Sequence, residues 1–308
     1  MESRQKIRVG VLMGGPSAEH EISLKTGEQV LANISPRKYD AEKIIISKDG
    51  KWPIDLADFK KRFDVAFVAL HGEYGEDGTV QKILEKEKIR FTGSSSKASK
   101  LGMDKTKSSV VFQKVGLTTP RFSVLRNGNG LLFDFPAVIK PMDRGSSVGL
   151  SIVENVRDLA YAIELAQKYS SNVMIEEYIR GKELTCGVLE INGKPSAMMP
   201  TEILPQKAKF FDYEAKYEPG SSLEITPPKL FKDQIQKIQE TALIAHKAIG
   251  ARGFSRTDMI LRSDENLYVL EINTIPGMTE TSLFPQGAKA AGVSFQKLLD
   301  YIIQSALQ

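Results

Sequence analysis

Over residues 1–95, short apolar runs alternate with segments of helical period, and that alternation leaves few ways to fold. IRVGVLM is followed by GGPSAEHEISLKTGEQVLANI, a Gly-rich turn that becomes amphipathic. Then come EKIIIS, DVAFVAL, the loop HGEYGEDG, the helical TVQKILEKEK and the short IRFTG. A strand–helix–strand succession predicts a parallel, doubly wound sheet whose loops gather at the C-terminal ends of the strands. Residues 1–96 are therefore expected to form an N-terminal α/β domain, with Ser94-Ser95-Ser96 as a linker.

From about residue 97 the pattern changes. A helix, LGMDKTKSSVVFQKVG, precedes the strands TTPRFSVL and FPAVIKP, a Gly/Ser loop, GLSIV, the helix RDLAYAIELAQKY and the strand NVMIEEYI. This predicts a small α+β domain over residues 97–180. Residues 181–308 carry the strands ELTCGVLEI and KPSAMMPTEI, an aromatic-rich loop FFDYEAKYEPGSS, a long helix KDQIQKIQETALIAHKAIG, a hairpin and a closing helix SFQKLLDYIIQSAL. A larger antiparallel sheet is expected there. The 308 residues suffice for three cores.

Charge and cysteine content narrow the partners. The net charge is only +4 and the basic residues are dispersed, so no nucleic-acid stripe is present. Lys60-Lys61-Arg62 reads as a solvated helix end. The single Cys186 excludes an intramolecular disulfide and fits a reducing compartment; within LTCGVL it reads as buried filler. MESRQKIRVGVLMGG has too short an apolar core for a signal peptide, and no window is long enough to span a bilayer. The expected location is the cytosol, with neither membrane nor nucleic acid as partner.

The stretch FSRTDMILRSDENLYVLEIN reads as a hairpin with carboxylates inside its apolar runs. A two-residue turn at Asp264-Glu265 pairs Ser263 with Asn266, which sets Asp258 opposite Glu271 and Arg256 opposite Asn273. Side chains alternate with period two, so all four share one face. Two facing carboxylates repel unless something positive lies between them. A hard divalent cation held by Asp258, Glu271 and the Asn273 amide resolves the conflict, and magnesium suits such oxygen donors together with substrate phosphates. The competing reading is an exposed sheet face with incidental charges, or an Arg256–Asp258 ion pair.

Five segments add chemistry, each also readable as an ordinary connection. KPMDRGSSVG joins two strands through backbone N–H groups and the hydroxyls of Ser146 and Ser147, suited to covering phosphates. Lys140 ends an apolar strand and needs an anion as partner. In IEEYIRGKE, acidic residues at a strand end suit ribose hydroxyls, and the backbone over Glu177 to Ile179 suits an adenine edge. GGPSAEHE presents a helix N-terminus, where Glu19 either caps the helix or holds an ammonium, and His71 opens onto the same crevice. FFDYEAKY has the makings of a lid that brings Lys216 to an anion, and Gly277 in TIPGMTETS offers a backbone N–H to an oxyanion.

Their order along the chain is more telling than any one of them. GGPSAEHEISLKTG, ALHGEYGEDGT, GMDKTKS, VIKPMDRGSSVG, IEEYIRGKE, DYEAKY, SRTDMIL and LEINTIPGMTETS together resemble the D-alanine–D-alanine ligases of the ATP-grasp superfamily. The resemblance implies an N-terminal substrate-binding domain followed by a two-domain ATP-grasp fold, with ATP between residues 97–180 and 181–308. It implies that Lys105 and Lys140 contact ATP phosphates, Glu176, Glu177 and Ile179 the adenine, and Glu183 the ribose. Two magnesium or manganese ions would sit on Asp258, Glu271 and Asn273, with a monovalent cation as a further possibility. Glu19 would take the first D-alanine's ammonium and hydrogen-bond Ser146 and Tyr217, with His71 beside the substrate. Arg256 and Gly277 would stabilise the oxyanion, Ser282 would hold the second D-alanine's carboxylate, and Lys216 would reach the γ-phosphate. A homodimer is implied as well.

Three positions depart from the family pattern: the short connection RNGNGLLFDF, Arg144 before GSSVG, and Ile275 after Asn273-Thr274. Other ATP-grasp carboxylate–amine ligases, and ligases that take D-lactate or D-serine second, share much of this pattern; Tyr217 in EAKY favours D-alanine at both positions. A catalytically silent nucleotide-binding protein would have no need of Arg256 at an oxyanion.

Overall fold

A computed structural model of the chain describes residues 5–125, 134–143, 145, 148–205, 222–279 and 282–308. The N-terminal part runs β1 (Ile7–Gly14), α1 (His20–Asn33), β2 (Tyr39–Ile46), α2 (Leu56–Arg62), β3 (Val65–Val68) and α3 (Thr79–Lys86). The strands form a parallel sheet in the order β2-β1-β3. Alternate residues of β1 serve opposite faces: Val9, Val11 and Met13 enter one core, and Leu12 enters the other with Phe59 of α2 and Leu84 of α3. This is the doubly wound arrangement expected, but IRFTG contributes only a bridge between Phe91 and Ala66.

The serines at 94–96 are not a linker. Ser94 is buried, and Ser95 caps α4 (Ser96–Met103) by accepting the Ala98 N–H. The single helix expected from Leu101 is likewise two. Asp104 ends α4 and caps α5 (Lys105–Lys114), its carboxylate accepting the Lys107 N–H, as an aspartate at a helix start does well. Phe112 of α5 is buried in the core beneath the largest sheet.

A four-stranded antiparallel sheet follows, ordered β4-β7-β5-β6. It contains β4 (Phe122–Val124), β5 (Ala137–Pro141), β6 (Ser151–Val153) and β7 (Val173–Glu177), with α6 (Leu159–Gln167) packed on one face. The largest sheet has β8 (Lys182–Ile191), β9 (Lys194–Ala197), β10 (Thr201–Pro205), β11 (Ser222–Ile225), then, after α7 (Lys232–Ala248), β12 (Phe254–Leu261) and β13 (Leu267–Asn273). Its order is β11-β10-β8-β12-β13, with β9 on β8. The run KPSAMMPTEI is thus two strands rather than one. Helices α8 (Leu283–Ala290) and α9 (Phe295–Leu307) close the chain.

The hairpin β12–β13 pairs Arg256 with Asn273 and Asp258 with Glu271, as its sequence predicts, but reaches that register differently. Arg262 N–H donates to the Asn266 carbonyl and Glu265 N–H to the Arg262 carbonyl, so the loop is the three residues Ser263 to Glu265, not a two-residue turn. Glu265 takes the left-handed φ of 64° that such a loop requires. A bulge beyond Asp258, where Leu270 is the extra residue, restores the pairing.

Packing of α9 could not be read from local period. Its Leu298, Leu299, Ile302 and Ile303 are buried with Val9, Val11 and Phe67, so the last helix covers the first sheet. Asp300 fastens it there: Tyr39 Oη donates at 2.5 Å and Lys38 Nζ at 2.7 Å.

Candidate functional site

One wall of the site is the C-terminal edge of the parallel sheet. Gly14 N–H donates to Ser23 Oγ, which donates to the Ala69 carbonyl, both at 2.8 Å, so the start of α1 is stitched across β1 and the end of β3. Glu19 stands at the N-cap position of α1 without making a side-chain cap, and its side chain lines a cavity of about 320 Å³. Gly72, at φ 67°, lies against it: a Cβ there would come within 2.6 Å of Glu19 Oε2 and of Ser17 Oγ. Next to it, His71 is buried. Its Nε2 meets Thr26 Oγ1 at 2.9 Å and its Nδ1 lies 3.3 Å from Glu76 Oε1, which also accepts the Gly72 N–H at 3.0 Å.

His71 and Glu76 both hold protons more tightly than usual. Burial opposes charge on His71, but the Glu76 and Glu19 carboxylates outweigh it and raise its pKa; burial itself raises that of Glu76. Glu76 was not singled out from sequence. The loop HGEYGEDG carries three carboxylates, and only its folded path decides which one turns inward.

The facing wall is the open side of the β12–β13 hairpin. Thr257, Met259, Val269 and Ile272 are buried on the core side, while Arg256, Asp258, Glu271 and Asn273 project the other way and are partly exposed. Arg256 grips Asp258 through Nε and Nη2 at 2.9 and 2.7 Å. Thr185 Oγ1 of β8 donates to the same carboxylate at 2.6 Å. Burial lowers the Arg256 pKa, but Asp258 more than reverses this, so the net shift is upward. Glu271 is held instead by Lys105, whose Nζ is 3.0 Å from Oε2. The ion pair offered as the competing reading is therefore real, and it coexists with the facing carboxylates. Asn273 Oδ1 accepts the Ile275 N–H at 2.8 Å, which fixes the amide and starts the turn toward Gly277. Ile275 itself is buried.

Gly277, Ser282 and Leu283 line the same cavity as Glu19 and Arg256. Ser282 is the N-cap of α8; Thr279 N–H donates to its Oγ at 3.0 Å, and its Oγ lies 2.8 Å from Thr279 Oγ1. A helix N-terminus with a hydroxyl beside it favours a carboxylate.

A second cavity of about 120 Å³ lies between the four-stranded sheet and the largest one. Val138, Val148, Ile152, Ile179, Ile260 and Leu270 give it apolar faces, while Glu176, Glu177 and Glu183 supply carboxylates. That combination suits a flat ring with a hydroxylated appendage. Lys140 does find the anion it needs: its Nζ is 2.6 Å from Glu176 Oε2, both being buried. Glu177 is held by Arg121 at 2.9 Å, and its carboxyl pKa is lowered by that guanidinium even though burial opposes the shift. Lys105 and Glu271 line both cavities and mark where they join.

The fold thus brings Glu19, His71, Lys105, Arg256, Glu271, Asn273, Gly277 and Ser282 around one cavity. Lys140, Glu176, Glu177, Ile179, Glu183 and Asp258 line the adjoining one. Arg144, Ser146, Ser147, Lys216 and Tyr217 lie outside the described residues. Among the described residues, no group of three or more His, Cys, Asp and Glu is placed to hold a metal. Asp258, Glu271 and Asn273 are two carboxylates and an amide oxygen on one sheet face, a hard donor set that fits a divalent cation completed by phosphate oxygens. Cys186 is buried, and burial pushes its thiol up to about 12, which matches its reading as filler.

Comparison with known proteins gives a consistent result. Residues 111–304 match the family model described as the D-ala D-ala ligase C-terminus, and residues 8–61 and 53–94 match the D-ala D-ala ligase N-terminus. The D-alanine–D-alanine ligase of Syntrophobacter fumaroxidans is 42% identical over 99% of each chain. The VanG D-Ala:D-Ser ligase from Enterococcus faecalis superposes with a TM-score of 0.87 at 31% identity, covering 98% of this chain and 100% of its own. The D-alanine–D-alanine ligase of Bacillus anthracis, solved in complex with ATP, gives 0.83 at 36% identity, covering 98% and 97%.

Proposed function

The chain belongs to the D-alanine–D-alanine ligase family, and we propose a division of labour among its side chains that follows from the two joined cavities. It is an ATP-dependent ligase that joins two D-alanines through an acyl phosphate, releasing ADP and phosphate, and it serves the synthesis of peptidoglycan precursors. The observation that carries the residue assignments is the Lys105–Glu271 pair, which lines both the cavity between the two antiparallel sheets and the cavity that holds Glu19 and Arg256.

In this reading ATP occupies the slot between the sheets, with its adenine among Glu176, Glu177 and Ile179 and its ribose at Glu183. Its phosphates run past Lys140 toward Lys105. Glu19 holds the first D-alanine's ammonium, and His71 sits beside that substrate. The substrate carboxylate attacks the γ-phosphorus, and the acyl phosphate forms as ADP departs. Lys105 and Lys140 offset the charge of the transferring group, and positioning does most of the rest. Magnesium or manganese ions on Asp258, Glu271 and Asn273 supply further charge neutralisation when bound.

The second D-alanine places its carboxylate at Ser282 and the start of α8. Its amine attacks the acyl carbon, and the tetrahedral oxyanion is stabilised by Arg256 and the Gly277 N–H before phosphate leaves. By family resemblance, Ser146 and Ser147 cover the phosphates, Tyr217 bonds Glu19, and Lys216 reaches the γ-phosphate from a closing loop that excludes water. We place the enzyme in the cytosol as a homodimer, again on family grounds. No described helix is long and apolar enough to cross a membrane.

The test is ATP turnover with a panel of D-alanine, D-serine and D-lactate as second substrate, with products identified by mass. Dipeptide and ADP should appear together, and only with D-alanine and a divalent cation present. ADP release indifferent to D-alanine would overturn the assignment. Preferential capture of D-serine would move the chain to the specificity of its VanG neighbour.

A further inference from the structure

An amino acid enters the second step as a zwitterion, so its site needs an electropositive contact for the carboxylate and an electronegative one for the ammonium. Ser282 and the N-terminus of α8 supply the first. Glu19 is occupied with the other substrate. The ammonium still has to lose a proton before its nitrogen can attack, and no residue assigned so far receives it.

Glu224 lies where that receiver is needed. It sits on β11 at the edge of the largest sheet, opposite Ile203 of β10, and lines the cavity together with Arg256, Gly277, Ser282 and Leu283. Gln286, in the first turn of α8, donates its Nε2–H to Glu224 Oε2 at 2.6 Å. The carboxylate is thereby fixed beside the helix start that takes the substrate's own carboxylate. The two ends of one small zwitterion are matched by two neighbouring groups, one of them anchored to the other's helix.

We propose that Glu224 holds the ammonium of the second amino acid and accepts its proton, an assignment that rests on the ligase reading above. One N–H proton passes to the Glu224 carboxylate. The freed lone pair forms the C–N bond, and the acyl C–O bond to phosphate breaks. A second nitrogen proton leaves with the phosphate, and Glu224 returns its own to solvent. Burial raises the Glu224 pKa, with Gln286 and the Arg256 charge opposing, which brings it nearer to that of an amine and makes it the stronger base. Arg256 is the cation whose field reaches Glu224. Lys105 and Glu271 face the same cavity from the hairpin side, and Glu19, Lys25, His71 and Glu76 from the N-terminal wall.

Partition of the acyl phosphate tests the assignment. With hydroxylamine present, the full-length enzyme divides the intermediate between dipeptide and D-alanyl hydroxamate. Hydroxylamine is already neutral near pH 7 and has no need of a base. Glu224→Gln should shift the ratio toward hydroxamate by about tenfold or more, with total ADP release in hydroxylamine unchanged. The shift should shrink as alkaline pH frees the amine, and Glu224→Asp should recover part of it. An unchanged ratio and pH profile would overturn the proposal, as would parallel loss of hydroxamate and dipeptide. Wild-type protein that forms neither product would defeat the ligase reading and this assignment with it, which separates the two failures.

Discussion

Lys105 Nζ lies 3.0 Å from Glu271 Oε2, with only 9% of the lysine side chain exposed, at the junction of the two cavities. Asp104 fixes the lysine there by starting α5 at this point, and the Lys105 N–H reaches the Met142 carbonyl of the loop after β5. In the proposed reading, a cation so placed meets transferring phosphate rather than solvent. Lys105→Met keeps the stem and removes the charge, and turnover should fall by at least about 100-fold. Coupled ADP release beside a far-ultraviolet circular dichroism spectrum checks it; near-normal turnover would remove Lys105 from the phosphate path.

Asp258 neutralises Arg256, and under the proposed function it also offers oxygen, with Glu271, to a divalent ion. Asp258→Asn leaves the guanidinium without its anion at 13% side-chain exposure, a loss of roughly 3 kcal/mol in stability. Turnover should drop by orders of magnitude, and the residual activity should require more magnesium. Chelation should silence the wild type, with magnesium or manganese restoring it. An unaltered magnesium dependence in the variant would take Asp258 out of the metal site.

That pairing was legible in sequence for a partly mistaken reason. Period-two alternation correctly puts Arg256, Asp258, Glu271 and Asn273 on one face. A two-residue turn is one residue too short, because Glu265, not glycine or asparagine, takes the left-handed position. Leu270, the extra residue of the bulge, cancels the error. The break at Asp104 could have been read, since Asp before KTKS is a good cap. Glu76 and Glu224 could not: each is one carboxylate among several in loop or edge segments, and only tertiary burial distinguishes them. Packing of α9 on the first sheet is a contact between chain ends, to which local periodicity is blind.

Gly277 is close to Ser282 in a way that leaves no room for a side chain. A Cβ there would lie 2.8 Å from Ser282 Oγ, which already receives the Thr279 N–H. Gly277→Ala must displace the serine or shift the Gly277 backbone, whose N–H the proposed mechanism assigns to the oxyanion. Dipeptide formation should fall about tenfold or more while acyl-phosphate formation persists, as hydroxamate trapping would report. Equal loss of both steps would place the residue elsewhere in the reaction.

Asp300 joins the last helix to the first sheet through Tyr39 and Lys38. Burial raises its pKa, but these two donors outweigh that and hold the carboxyl below its ordinary value. A depressed carboxyl stabilises the fold above its unfolded pKa, and the contribution fades as pH falls through the folded one. Asp300→Asn should cost roughly 1–2 kcal/mol at neutral pH, discounted because Lys38 is half exposed, with turnover unchanged. Urea denaturation should show the variant and wild type converging in acid. A constant gap at every pH would mean that packing, not charge, is lost.

His246 sets a different acid limit. On α7 it is buried against Ser255, with Nδ1 2.7 Å from the hydroxyl and a buried Nε2 that finds no partner among the described residues. Burial, with Lys247 adding, lowers its pKa from 6.5 to about 4. The unfolded chain therefore takes up the proton first. Stability from this group is intact above about pH 6.5 and is lost as pH falls toward 4, a total of about 3 kcal/mol from a shift of that size. His246→Gln removes the titration while keeping a polar partner for Ser255. Between pH 7.5 and 4.5 the wild type should therefore lose more stability than the variant by an amount of that order. Identical slopes for the two proteins in chemical denaturation would show that the imidazole is protonated in the fold at no greater cost than in water.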